Sequence, residues 1–497
     1  MDPVELQVLT GALHSICEEM GAVLIRSAHS ANIKERRDAS TALFTPEGEM
    51  VMQAEHIPVH LGAMPAAVAS VLDEDHAPGR SWILNDPYRG GTHLPDITVI
   101  TPVFVGASQL IAFAASRAHH ADVGGPTPGS MPADSRTLDD EGVVIEPQVL
   151  DEDAIARLAG QMRRPDQRRA DLRAQLAAGR VGALRLAELA QRVGVDALRE
   201  AYAEVLDYAE RRTRACLEEL DDGERSARDL LEAREGDLTV VLRATVAGDE
   251  LTLDFTGTSE QYDGNLNCPL AVTRSACYFA IRVLTDPDIP ANAGAYRPVR
   301  VIAPEGSLLN ARSPAAVVGG NVETSSRVAD VVLAAFGRAL GQGTMNNLTL
   351  GDDDVTYYET IGGGQGACAD ADGPSGVHVA MSNTLNTPVE ALELEFPMRM
   401  IEYSLRRGSG GAGRFRGGDG VVREIEALAP LHYSLITERR RHPPPGADGG
   451  EPGARGRNLL DGEELGPKAT GELAAGQWLR IETPGGGGYG KPSSSGT

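Results

Sequence analysis

Residues 82–122 read WILNDPYRGGTHLPDITVITPVFVGASQLIAFAASRAHHAD, and the fold is decided there. WILND, DITVITPVF and LIAFAASRA are rich in Ile, Val and Phe and are punctuated by Pro and Gly, the pattern of strands. If 97–104 and 109–116 run antiparallel around Gly106–Ser108, paired residue numbers sum to roughly 213–215. Asp96 then lies opposite about residue 118 and His93 opposite about residue 121, so two polar clusters meet at one end of the hairpin. One contains Asn85, Asp86, His93 and Asp96; the other contains Arg117, His119, His120 and Asp122. In an extended chain His120 and Asp122 share one side and His119 takes the other, so not all of them can surround one point. Pro95 biases Leu94 toward extended geometry, which puts the His93–Asp96 pair on a loop.

Three of the chain's 11 histidines fall in this stretch. Imidazole nitrogen with carboxylate oxygen is the usual ligand set of a catalytic Zn or Mn site that keeps an open position. The same residue types also cap strand ends and form turns before proline. Spacing alone leaves a metal centre and a structural polar cluster both open. Asp38, in ERRDAS, reads by itself as a turn or salt-bridge residue, and His56 and His60, in EHIPVHLG, as satisfied loop residues.

Outward from this hairpin the texture changes twice. Residues 1–148 combine a long amphipathic helix (about 3–29, with Val4, Leu6, Leu9, Leu13, Ile16 and Met20 inward) with short strands. Residues 149–235 are dominated by Ala, Leu, Arg, Asp and Glu at helical spacing and form an expected helical block. Residues 236–345 return to alternation, with a hairpin at Gly248–Asp249 and helices near 270–285 and 325–340. Residues 346–497 are strand and turn, with glycine clusters at 362–366, 408–420, 446–456 and 485–490. The expected class is α+β, an irregular mixed α/β arrangement with a helical insertion and a β-rich, Gly-rich C-terminal part. In GGNVETSS (319–326), Thr324 or Ser325 is the expected helix cap. Glu438-Arg-Arg-Arg-His442, a dense basic run, reads as a solvated face or, second, as a contact with an acidic partner.

Forty-six basic against 71 acidic residues leave a formal charge of −25. That balance disfavours nucleic acid and anionic membrane as partners, since both need clustered positive charge. No run of 18 apolar residues occurs and the five cysteines form no CxxC pair, so a cytoplasmic protein with free thiols is expected. No GxxxxGK[ST] is present, so a nucleotide site of that type would sit on another chain.

Longer motifs carry more. With EHIPVHLGAMP, NDPYRGGTHLPDITVITPVF, SRAHHADVGGPTPGSMPADS, DFTGTSEQYDGNLNCP, GGNVETSSRVADVVLAAFG and TPGGGGYG in this order, the chain resembles the hydantoinase B/5-oxoprolinase family from about residue 5 to 490. The resemblance implies the hydrolytic B-type component of an ATP-dependent cyclic-amide hydrolase, working in a hetero-oligomer with an A-type ATP-binding partner. ATP would be used on that partner, and a divalent metal, Zn or Mn, would sit on this chain. It favours Asp38, His93, Asp96 and one of His119 and His120 as metal ligands, with His120 or Asp122 as proton acceptor. Two other readings stand beside it: a component of an ATP-dependent ketone carboxylase, and a non-catalytic scaffold.

Overall fold

The computed structural model describes residues 2–54 and 57–492. Its first sheet has six strands: β1 (Ala39–Phe44), β2 (Met50–Ala54), β3 (Ser81–Leu84), β4 (Asp96–Val105), β5 (Gln109–His119) and β6 (Gln148–Leu150), in the order β2-β1-β5-β4-β3-β6. The β4–β5 hairpin pairs Asp96 with His119 and Val105 with Gln109, with a bulge between Val103 and Phe104. The pairing falls within the expected register, and Asp96 faces His119, at the edge of the range centred on residue 118. The register matters, because a slip of one turns every side chain to the opposite face.

Both faces of this sheet are covered, and β4 and β5 are therefore buried along nearly their whole length and mostly apolar. Phe113 and Ala115 on β5 pack with Phe44, Met50, Met64 and Val68 on one face. Ala112, Ala114 and Ala118 pack on the other against α1 (Pro3–Ser27) and the long helix that crosses behind it; Leu9, Leu13, Ile16 and Met20 of α1 are buried there, Leu6 is partly buried, and Val4, expected inward, is exposed because the first turn of α1 extends beyond the packed face. The helical block supplies α2 (Glu152–Ala159), α3 (Pro165–Val193) and α4 (Val195–Glu218). α3 lies against α1 and the β4–β5 hairpin at very short range. A Cβ on Gly182 would meet the Met20 sulfur at 2.4 Å, and one on Gly179 would meet Thr101 Oγ1 at 2.3 Å. The block ends earlier than the composition suggested, because Gly223–Glu232 forms strand β7.

A second sheet joins β7 to β8 (Asp237–Ala247), β9 (Glu250–Asp254) and β10 (Val299–Ile302), in the order β10-β9-β8-β7. The turn between β8 and β9 is at Gly248–Asp249, as expected. Helices α5 (Leu270–Leu284) and α6 (Ser325–Ala335) share this sheet's core. After residue 346 come β11 (Asn347–Gly351), β12 (Thr356–Glu359), β13 (Met398–Arg406), β14 (Gly420–Ala427), β15 (Leu431–Ile436), β16 (Arg457–Leu460), β17 (Glu463–Leu465), β18 (Lys468–Leu473) and β19 (Trp478–Glu482). They form two sheets, β12-β11-β15-β18 and β13-β14-β19-β16-β17, around a common core. The class is α+β, with several small sheets.

The basic run at 438–442 is a solvated face only at its end, where Arg441 is exposed and His442 half-buried. Glu438, Arg439 and Arg440 are buried. Arg439 bonds Asp229 of β7 and Asp330 of α6, and Arg440 bonds Asn346 and Asn458. Glu438 pairs with Arg327 and Lys468. Charges this deep persist only because each finds an opposite charge or a hydrogen-bond partner. The run ties the second sheet to the third.

Candidate metal centre

The adjacent strands β1, β5 and β4 end together, and the end of each carries one polar residue. Asp38 immediately precedes β1, and its carbonyl accepts from the His119 amide (3.0 Å). His119 ends β5 and faces Asp96 at the start of β4. The Thr92–Pro95 loop then turns back so that His93 reaches the same point, held by the Asp96 amide donating to the His93 carbonyl (3.0 Å).

Three donor atoms converge there. Asp96 Oδ1 lies 3.2 Å from His93 Nε2 and 3.2 Å from His119 Nδ1, and the two nitrogens are 3.3 Å apart. The edge of a tetrahedron with ligand bonds near 2.0–2.1 Å is about 3.3 Å. The triangle therefore has the dimensions of three ligands on one small divalent ion. All three residues are buried, and among the described residues they form the one group of three or more such side chains with metal-binding geometry.

The electrostatics suit a cation. Burial raises the Asp96 carboxyl, but the His93 charge and the contacts with His119 and His60 outweigh it and hold Asp96 well below the usual carboxylate range. Burial pushes the His119 imidazole down, which favours its neutral, ligating form. Thr92 Oγ1 donates to Asp96 Oδ2 at 2.6 Å and turns Oδ1 toward the histidines. Such outer hydrogen bonds fix the orientation of a ligating carboxylate. Residues facing these three across a cavity of about 20 Å³ include Asp38, His60, Asn321, Tyr358 and Ser382. That space holds about one water.

His120 and Asp122 are not brought to this point. Strand alternation turns His120 through the sheet, where its Nε2 donates to Gln175 Oε1 on α3 (2.8 Å). Asp122 accepts from the Gly124, Gly129 and Arg163 amides and from the Arg163 guanidinium, and so organises the loop after β5. The geometry therefore selects His119 from the pair and leaves the expected proton acceptors occupied elsewhere. Thr324 and Ser325 do not cap α6. A π-turn, Gly320–Thr324, precedes it, and the Glu141 carboxylate receives the Val317 and Val318 amides.

Some contributors escaped the sequence reading. His60 Nδ1 bonds Ser40 Oγ (2.8 Å), and its Nε2 lies 3.6 Å from Asp96 Oδ2. Tyr358 stacks on His119 with centroids 4.5 Å apart, and the Arg36 guanidinium lies over its ring. No local pattern marks these residues, because each comes from a stretch of chain remote from the hairpin that carries Asp96 and His119. His56, also read as a loop residue, lies outside the described residues.

A family model described as Hydantoinase B/oxoprolinase matches residues 2–492. The chain belongs to the hydantoinase B/oxoprolinase family. Among relatives of this family member, 5-oxoprolinase 1 of Arabidopsis thaliana is 42% identical over 98% of this chain and 42% of its own length. The chain thus spans about two fifths of the length of that relative. A putative B-type component of a D-/L-hydantoinase from Pseudomonas sp. (strain NS671) is 31% identical over 99% of this chain and 90% of its own. The crystal structure of an ATP-dependent caprolactamase from Pseudomonas jessenii superposes with a TM-score of 0.92 at 30% identity, covering 99% of this chain and 91% of that one. An acetone carboxylase shares the fold, with a TM-score of 0.88 at 18% identity over 99% and 76% of the two chains.

Proposed function

We propose that this chain is the hydrolytic component of an ATP-dependent cyclic-amide hydrolase of the hydantoinase/oxoprolinase type, acting with an A-type ATP-binding partner in the cytoplasm. The observation that carries this reading is the buried triangle of His93, Asp96 and His119 in a member of this family. The lengths of the relatives are consistent with a division of labour, since one covers this chain plus a longer remainder and another is about the length of this chain.

A lactam or hydantoin carbonyl is a poor electrophile because its nitrogen donates into it, and phosphorylation of its oxygen on the partner removes that protection. His93 Nε2, His119 Nδ1 and Asp96 Oδ1 would hold a divalent ion, with Asp38 as a fourth donor. Nitrogen and oxygen ligands suit Zn or Mn. Such an ion supplies Lewis acidity and brings the acidity of water toward neutrality. His60 takes the part expected of His120 or Asp122. Its Nε2 lies 3.6 Å from Asp96 Oδ2, beside the metal triangle, a place from which it can take up the proton leaving the attacking water.

Metal content by plasma mass spectrometry tests the reading, on the purified chain and on His93→Ala and Asp96→Ala. About one Zn or Mn ion per chain, lost in both variants, with ring-opened acid formed when partner and ATP are added, is the expected result. A wild-type chain that stays metal-free after supplementation and with its partner present would move the scaffold reading to the front. A β-keto acid product in place of a ring-opened one would establish the carboxylase reading.

A further inference from the structure

The wall of the cavity opposite the metal triangle is formed in part by residues 381–384, and one hydroxyl there is held in an unusual way. Ser382 is buried, lines the cavity together with His93, Asp96 and His119, and has its Oγ within hydrogen-bond distance of His378 Nδ1. The backbone is bent to achieve this. Ala380 has φ +53°, a left-handed conformation that a residue with a Cβ rarely adopts. Strain of this kind, seen beside a candidate site, is a pointer to function.

The direction of the hydrogen bond follows from what surrounds the imidazole. Burial, aided by the neighbouring Arg36 charge, holds His378 down at about 4, so the ring is neutral near pH 7 and carries a single N–H. Nε2 is buried with no hydrogen-bond partner among the described residues. A buried N–H without an acceptor is rarer than an unused lone pair, so the proton sits on Nδ1 and is donated to Ser382 Oγ. The hydroxyl hydrogen of Ser382 is then left for the cavity, and its oxygen is polarised by the N–H behind it. The other hydroxyls nearby are differently engaged. Tyr358 donates to Asn347 Oδ1, and Thr360 and Thr384 bond each other and receive the Arg36 guanidinium.

We propose that Ser382 contacts the substrate, donating a hydrogen bond to the oxygen of the carbonyl under attack, and that His378 is the positioning residue that aims it. This deepens, and rests on, the cyclic-amide hydrolase reading. That oxygen carries the phosphoryl group when water adds to the carbon, and it takes the electron pair of the C–O bond when phosphate leaves; negative charge gathers on it at that step, and a donor preset in a buried site favours that transition state over the ground state. The expected signature is therefore a fall in kcat with little change in KM.

The test uses the complex of this chain with its ATP-using partner, 5-oxoproline and hydantoin as probe substrates, and the variants Ser382→Ala, His378→Leu and His378→Asn. All three should keep the wild-type metal content, which reports that the cavity has folded. Ser382→Ala should lower kcat by about 10²–10³-fold, the range for loss of one such donor, with KM within about threefold. His378→Leu should lose about tenfold, and His378→Asn, which keeps an N–H near the position of Nδ1, should recover most of that. In wild-type protein, ¹⁵N NMR should show His378 protonated on Nδ1, a readout that needs no substrate. A Ser382→Ala enzyme with kcat within threefold of wild type, or a His378 ring protonated on Nε2, overturns the proposal. Failure of the wild-type complex to open either ring would instead overturn the underlying hydrolase reading, and it would be seen before any variant is made.

Discussion

At the scale of single residues, His119 and His120 are neighbours in the chain with opposite surroundings. His119 Nδ1 faces Asp96, whereas His120 Nε2 is spent on Gln175 behind the sheet. His119→Ala should reduce bound metal to below about a tenth of wild type, in line with the 10–100-fold or larger effects of disturbing a metal shell. His120→Ala should keep the metal but lower stability by about 1–3 kcal/mol, because Gln175 Oε1 loses its donor in a buried place. Mass spectrometry and denaturant titration of the two variants check both statements. Equal metal loss in the two would contradict the geometry. Alternation along an extended strand already made the two histidines unequal; the expected range of registers included the one that places His119 opposite Asp96, and the tertiary structure selected it.

At the scale of elements, α3 is the clamp that sets the strand ends carrying the site. Gln175 Nε2 donates to the carbonyl of Ile97 (2.9 Å), next to Asp96, and approaches that of Ser116 (3.4 Å). Four residues on, Gly179 lets the helix sit against Thr101 of β4. Gly179→Val should cost about 1–3 kcal/mol through overpacking, read as a lower denaturant midpoint at unchanged slope. Gln175→Leu should cost about 2–4 kcal/mol, since it strands buried polar groups on two strands, and should weaken metal binding by letting Asp96 and His119 drift apart. A Gln175→Leu protein with wild-type metal affinity would show that the clamp acts on stability alone. Helical spacing made α3 visible in the sequence, but not the strand it crosses, because α3 buries polar Arg168, Asp171 and Gln175 alongside apolar residues.

At the scale of the whole molecule, buried charge joins the parts, and it makes stability depend on pH. Glu323, in the π-turn before α6, is fully buried; Oε1 accepts from Thr344, Met345 and Asn347, while Oε2 has no partner among the described residues. Burial raises its carboxyl to about 8, from 4.5 in the unfolded chain. The folded state therefore keeps a proton that the unfolded state releases. The resulting stability is fully present below pH 4.5 and is lost as pH rises through about 8. The melting temperature should fall between about pH 4.5 and 8, and Glu323→Gln, which keeps the shape without the titration, should make that fall shallower. Scanning calorimetry across this range checks it; an unchanged slope would place the pH dependence elsewhere. Chelation at fixed pH should also lower the melting temperature if the triangle holds an ion, because a ligand bound only by the native state stabilises it.

The sequence by itself determined what depends on near neighbours. The strands of 82–122, the hairpin turn near Gly106, the helical faces of 149–218 and the contrast between His119 and His120 all follow from spacing along a chain of fixed geometry. The ordered motifs marked the family in the same local way. Only the tertiary structure decided which distant side chains share the cavity. His60, Tyr358 and Ser382 arrive from separate loops and strands, and Glu438–Arg440, charged enough to read as surface, are buried because Asp229, Asp330, Arg327 and Lys468 come from elsewhere to meet them. Convergence of that kind is set by how sheets and helices stack. Stacking is a property of the packed whole, which no window of sequence contains.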